Sequence, residues 1–157
     1  MKKFTLLIAI TLITFFTSTS YAKDDVDATE KVLQQRFIDK HQAMVPVVAV
    51  ADMFFACNRQ RYTDSYDYQI ADLVNKMDKG QLAENLSACL GGESLKSDIA
   101  LNFGLIGCFH SQMANLDQKK YDEKMGKLEL LLVKLPREQR QKTFTKCVSE
   151  QALYFVK

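Results

Sequence analysis

The stretch Val47–Arg61 reads V-V-A-V-A-D-M-F-F-A-C-N-R-Q-R, and its assignment decides the fold. Its β-branched residues suit a strand. The run with Met53, Phe54 and Phe55 is long for one, and a strongly buried helix accommodates the length. Toward the N-terminus, Pro46 fits the first turn of this helix and separates it from an amphipathic helix over Ala28–Met44, with Val32, Phe37 and Ile38 among its apolar positions. Asp24–Asp27 form an acidic, frayed start.

Toward the C-terminus the helical pattern continues. Thr63, Asp64 and Ser65 offer capping side chains, and Tyr66, Ile70, Leu73, Val74 and Met77 form a stripe of 3.6-residue period that ends at Lys79-Gly80. Gln81–Leu90 reads as a shorter helix stopped by Gly91-Gly92. Leu95–Met113 follows, apolar around Ile99, Leu101, Phe103, Leu105 and Ile106. Asp117 caps the next helix, which runs to about Leu135. Pro136 and Glu138 suit the first turn of a last helix, with Phe144, Cys147, Val148, Leu153 and Phe155 facing the core. With two prolines, six glycines and no hairpin signal, the chain is expected to be all-α, a single domain of about six helices.

An internal repeat emerges. Met53-Phe54-Phe55-Ala56-Cys57 resembles Gly104-Leu105-Ile106-Gly107-Cys108, and Gln60 and Gln112 follow. Leu86 precedes Cys89 by three residues, as Phe144 precedes Cys147. Four cysteines admit three connectivities. The repeat favours Cys57–Cys89 with Cys108–Cys147, giving two helical hairpins, each stapled by one disulfide. The wide spacings, with no C-x-x-C, disfavour a thiol oxidoreductase and a cysteine-rich zinc site.

Residues 1–22 have the features of a cleaved signal peptide. Lys2 and Lys3 are followed by an apolar run from Phe4 to Phe16, then by a polar stretch ending in Ser20-Tyr21-Ala22, whose small residues suit a peptidase site. The run is short for a membrane span, which takes about 20 apolar residues. Residues 23–157 are then one helical, disulfide-bonded domain that is periplasmic or secreted, since an even cysteine count behind a leader reads as disulfides. Removal of Lys2 and Lys3 leaves nineteen basic against nineteen acidic residues. A balanced surface excludes nucleic acid as a partner, and strong attraction to anionic lipid. No membrane insertion is expected after the leader is removed.

Little in the sequence carries chemistry. There is no G-x-S-x-G or S-x-x-K motif and no paired acid and base, so no enzymatic activity and no catalytic residue is expected. Both histidines sit in H-x-x-M, as His41 with Met44 and His110 with Met113. Residues at i and i+3 share a helix face, and imidazole with thioether suits copper. Methionine also fills core gaps, which is the commoner use. Tyr62, Tyr66 and Tyr68 cluster beside Arg59 and Arg61, residue types favoured at protein interfaces. The competing reading is a turn whose tyrosines rest partly on the core.

Phe103–Asp117, F-G-L-I-G-C-F-H-S-Q-M-A-N-L-D, resembles a stretch of the small helical periplasmic immunity proteins that block peptidoglycan amidase effectors of type VI secretion. The resemblance implies an exported, disulfide-bonded helical protein that binds another protein, with the neighbourhood of Cys108 and His110 as framework. Lys119–Lys157, with a further cysteine, extends beyond that pattern. The function expected is therefore a non-enzymatic binding domain whose partner is another periplasmic protein, of the inhibitor, immunity or accessory type and without a cofactor. The alternatives are a small-ligand or copper protein using the H-x-x-M pairs, and a periplasmic stress chaperone.

Overall fold

Proline removes a helical hydrogen bond and crowds the preceding turn, yet Pro46 lies inside the first helix, α1 (Tyr21–Arg61). The computed structural model describes the backbone of residues 21–156 and the side chains of residues 28–156. The leader expected at residues 1–22 lies outside the described residues, but for helical backbone at Tyr21 and Ala22. Every regular element among the described residues is helical: α1, then α2 (Ile70–Asn75), α3 (Lys79–Leu90), α4 (Asp98–Met113), α5 (Gln118–Leu132), α6 (Arg137–Ala152) and a closing 3-10 turn, Leu153–Phe155. None of them is long and apolar enough to cross a membrane.

The break expected at Pro46 is absent, and the two helices foreseen on either side of it are one. Met44, Val45 and Val47 pack against the core, and Val48 is fully buried. Burial on both sides of the proline offsets the roughly 3 kcal/mol it costs, because each apolar side chain removed from water contributes about 1.5–3 kcal/mol. Among the described residues, those up to Ile38 and those from Asp39 onward form separate units. In the first, the helix carries Val32, Leu33, Phe37 and Ile38 about half exposed.

Within residues 39–157 the core gathers Val48, Phe54, Leu73, Leu82, Leu86, Leu90, Leu105 and Val148. The disulfides are Cys57–Cys89 and Cys108–Cys147, with Cα atoms 6.2 Å apart in each. They join α1 to α3 and α4 to α6, so each half has the same plan: a first helix stapled to a third. The loops closed span 32 and 39 residues. By chain entropy each is worth about 4 kcal/mol, a large share of a small domain's net stability.

Two glycines set the spacing of α4. A Cβ on Gly107 would lie 2.2 Å from the carbonyl oxygen of Asp52, so α4 touches the backbone of α1 there. A Cβ on Gly104 would lie 2.4 Å from the ring of Phe144 on α6. Beside the first contact sits a buried polar group. Gln151 Nε2 donates to Asp52 Oδ1 and to Ser111 Oγ, both at 3.1 Å. Gln151 Oε1 rests 3.0 Å from Cys108 Sγ, a close S···O contact, since a disulfide sulfur has no proton to give. Asp52 Oδ2 has no partner among the described residues. Burial pushes the Asp52 carboxyl well above the usual carboxylate range, with the Gln151 bond pulling weakly the other way.

α1 begins at Tyr21, so its backbone is already helical through Asp24–Asp27, where a frayed start was expected, and three later boundaries also differ from the sequence reading. The stripe from Tyr66 to Met77 becomes a helix only at Ile70, because side chains claim the backbone before it. Asn58, buried at the end of α1, accepts from Thr63 Oγ1 (2.8 Å) and from the Asp64 amide (2.7 Å). Asp64 in turn accepts from the Tyr66 amide at 3.0 Å. Lys79-Gly80 opens α3 instead of closing the helix before it, since Asp78 accepts from the amides of Gly80 and Gln81. Leu95 lies ahead of α4, which Ser97 caps through the Ala100 amide. Asp117 caps α5 as expected, accepting from the Lys120 amide. Leu153, expected in the core, is 48 % exposed, because the chain has tightened into a 3-10 turn there and its side chains rotate off the α-helical stripe.

Candidate functional site

The last two turns of α1 carry Phe55, Arg59, Gln60 and Arg61 to one side of a groove of about 880 Å³. α4 supplies Ile99, Asn102, Phe103, Ile106 and His110, α5 supplies Tyr121, Met125, Glu129 and Leu132, and Val133 follows at its C-cap. α5 buries only Met125 and Leu132 and leaves Leu130, Leu131 and Val133 largely in solvent. It therefore roofs the groove without sealing it.

Three polar side chains of the groove, Arg59, His110 and Tyr121, lie together around Phe55. His110 Nδ1 lies 2.6 Å from the Tyr121 hydroxyl, and the two rings meet edge to face. The imidazole also stacks on Phe55, with ring centroids 4.5 Å apart. Burial lowers the His110 pKa, the nearby Arg59 charge lowers it further and Asp67 opposes them, a balance that favours the neutral ring. Burial raises the Tyr121 pKa. Arg59 places its guanidinium 5.4 Å from the Phe55 ring centroid and has no ion pair or hydrogen bond among the described residues. Arg61 is committed: it donates to the Cys89 carbonyl at 2.6 Å and lies 5.4 Å from the Phe103 centroid.

The five residues expected at an interface separate into three groups. Arg59 and Arg61 are exposed on the groove rim. Tyr62 and Tyr66 point outward, 85 % and 63 % exposed. Tyr68 turns inward against Phe54, with centroids 5.3 Å apart, while touching Tyr66 at 4.7 Å. Its hydroxyl donates to Asp64, which raises the Tyr68 pKa to about 12 and lowers that of Asp64. The core reading of this turn thus applies to Tyr68 and not to its two neighbours. Tyr62 has a φ of 53°, the left-handed conformation that usually takes glycine behind a helix end. Its amide donates to the Asn58 carbonyl at 2.8 Å, which closes α1.

The H-x-x-M pairs have one ring nitrogen each in a protein contact. His41 Nε2 lies 2.8 Å from the Ser149 carbonyl oxygen, and His110 Nδ1 is held by Tyr121. Met44 is half-buried against the core, and Met113 is half-buried. Among the described residues no group of three or more His, Cys, Asp or Glu side chains is placed to hold a metal.

The groove itself was not foreseen from sequence. Its signal was the row Tyr121, Met125 and Leu132 on α5, an apolar stripe on a helix otherwise rich in charge. Nothing local links that row to His110 or Arg59. No family model, curated protein or solved structure matches this chain.

Proposed function

We propose that this chain is a non-enzymatic binding protein of an oxidising, exported compartment, and that it recognises another exported protein through the surface around Tyr62 and Tyr66. Tyr62 carries the reading. A left-handed backbone costs a non-glycine residue about 1–2 kcal/mol, and a side chain standing in water gives nothing back to the fold. Tyrosine there is 85 % exposed, and Tyr66 is 63 % exposed. A large aromatic kept in a strained and unrewarded position fits selection for contact with a partner. The two disulfides support an oxidising compartment. The Phe103–Asp117 stretch favours an inhibitor of the immunity type as the most concrete version.

The test is capture from periplasmic extract by the tagged, oxidised protein, read by mass spectrometry beside a Tyr62→Gly, Tyr66→Ser variant. The expected result is one stoichiometric partner on the wild type, lost with the variant, whose melting temperature is unchanged or higher. Equal capture by both proteins, no partner at all, or robust hydrolase or isomerase turnover by the pure protein would each refute the proposal.

A further inference from the structure

The groove between α1, α4 and α5 differs from the tyrosine surface in chemistry. It is concave, its lining mixes apolar side chains with polar ones, and its volume of about 880 Å³ falls in the range of roughly 300–1,000 Å³ typical of small-molecule sites. Apolar side chains alone would fit many occupants, but the polar cluster is selective.

Arg59 stands there with its donors unspent, its guanidinium over the Phe55 ring and no carboxylate within ion-pairing distance among the described residues. The His110–Tyr121 pair adds a donor whichever tautomer it adopts. If the tyrosine hydroxyl donates to Nδ1, the neutral imidazole keeps its proton on Nε2. If Nδ1 donates to the tyrosine oxygen, the hydroxyl proton remains to be given. A cation and a spare donor therefore lie together beside the apolar side chains of the groove. Glu129 forms no ion pair with either arginine among the described residues, so the lining carries two cations and one carboxylate. Asp67 and Asp122 also act on the His110–Tyr121 pair, which leaves Arg59 as the cation for a single carboxylate and disfavours a dianion.

We propose that the groove is a binding site for a small amphipathic monocarboxylate, with the carboxylate on Arg59 and the His110–Tyr121 pair and the aliphatic or aromatic body between Phe55, Phe103, Ile106, Met125 and Leu132. The bidentate geometry of guanidinium with carboxylate orients the head, and the walls favour a longer chain over a shorter one. The site is independent of the protein partner proposed above. Failure of either leaves the other standing, because Tyr62 and Tyr66 do not line the groove.

The experiment is calorimetric titration of the oxidised full-length chain with decanoate, decanol and hexanoate, repeated on Arg59→Gln, Tyr121→Phe and Glu129→Gln. Circular dichroism melts confirm that each variant is folded. Decanoate is expected to bind, hexanoate to bind more weakly, and decanol to bind at least about tenfold more weakly, since a hydrogen bond to a charged group is worth that factor or more. Arg59→Gln should lose the same factor and with it the preference over decanol. Tyr121→Phe should lose less, and Glu129→Gln should tighten binding. Equal affinity for decanol and decanoate would overturn the proposal. So would decanoate binding untouched by Arg59→Gln in a folded variant, or no decanoate binding at millimolar concentration.

Discussion

Gly107→Ala is the sharpest perturbation of this fold. Alanine is the better helix former by about 1 kcal/mol, so in an isolated helix the change would stabilise. Here the new methyl would lie 2.2 Å from the Asp52 carbonyl oxygen, 2.7 Å from its carbon and 2.8 Å from its Cα. All three atoms are backbone, so no rotamer change relieves the clash. α1 must retreat from α4 by about 1 Å to restore ordinary contact, against neighbours close-packed at native density. Val48, Ala51 and Phe55 hold α1 in the core, and the adjacent Cys108 is bonded to Cys147. Overpacking of this kind costs about 1–3 kcal/mol, with a rigid backbone contact at the top of that range. After the propensity gain, the expected net loss is about 2 kcal/mol, or roughly 8 °C in Tm for a domain of this size. Gly126→Ala is the matched control. Nothing lies within 4 Å of its added Cβ, so it should gain about 0.5–1 kcal/mol. Thermal and urea unfolding of the oxidised protein, followed by far-ultraviolet circular dichroism, measure both. If Gly107→Ala melts at or above the wild type, the close approach of α4 to α1 is not what requires glycine there.

Two further outcomes follow from buried charge. The Asp52 carboxyl has a raised pKa in the fold, so its contribution is fully present below the unfolded carboxylate pKa and is lost as pH rises through the folded value. Asp52→Asn should therefore stabilise the protein at pH 7 and progressively less toward pH 4, and equal urea midpoint shifts at both pH values would contradict this. Arg140 is 8 % exposed with Nε unpartnered among the described residues, and it relies on Asn102 and on Asp98 at 3.1 Å. Asp98→Ala should cost about 1–2 kcal/mol by urea unfolding, whereas Glu138→Ala, at the exposed Lys142 pair, should cost close to nothing.

Periodicity made the helices and the disulfide pairing legible, because the repeat around Cys57 and Cys108 is a property of neighbouring residues. Where side chains compete with the backbone, periodicity misled. Tyr66 and Met77 share a stripe with Ile70, but Asn58 and Asp64 hold the intervening chain as a loop. Pro46 misled for the opposite reason: burial of Val48 and its neighbours overrides a local helix breaker. The surface tyrosines were readable as a cluster, but which of them faces water was not, since Tyr68 differs from Tyr66 only by what packs behind it. The groove was hidden because Arg59, His110 and Tyr121 come from three helices, and only tertiary packing brings them together.

The two disulfides have a consequence for how the chain is made. Cys57 pairs with Cys89, and Cys108 with Cys147, so each cysteine bonds to its neighbour in sequence and the two loops never overlap. On the proposed exported reading, a chain entering an oxidising compartment N-terminus first presents Cys57 and Cys89 together before Cys108 has arrived. Pairing in order of appearance is already the native pattern. Isomerisation, which is needed when bonds interleave, has nothing to correct, and each half can be sealed while the rest is still in transit.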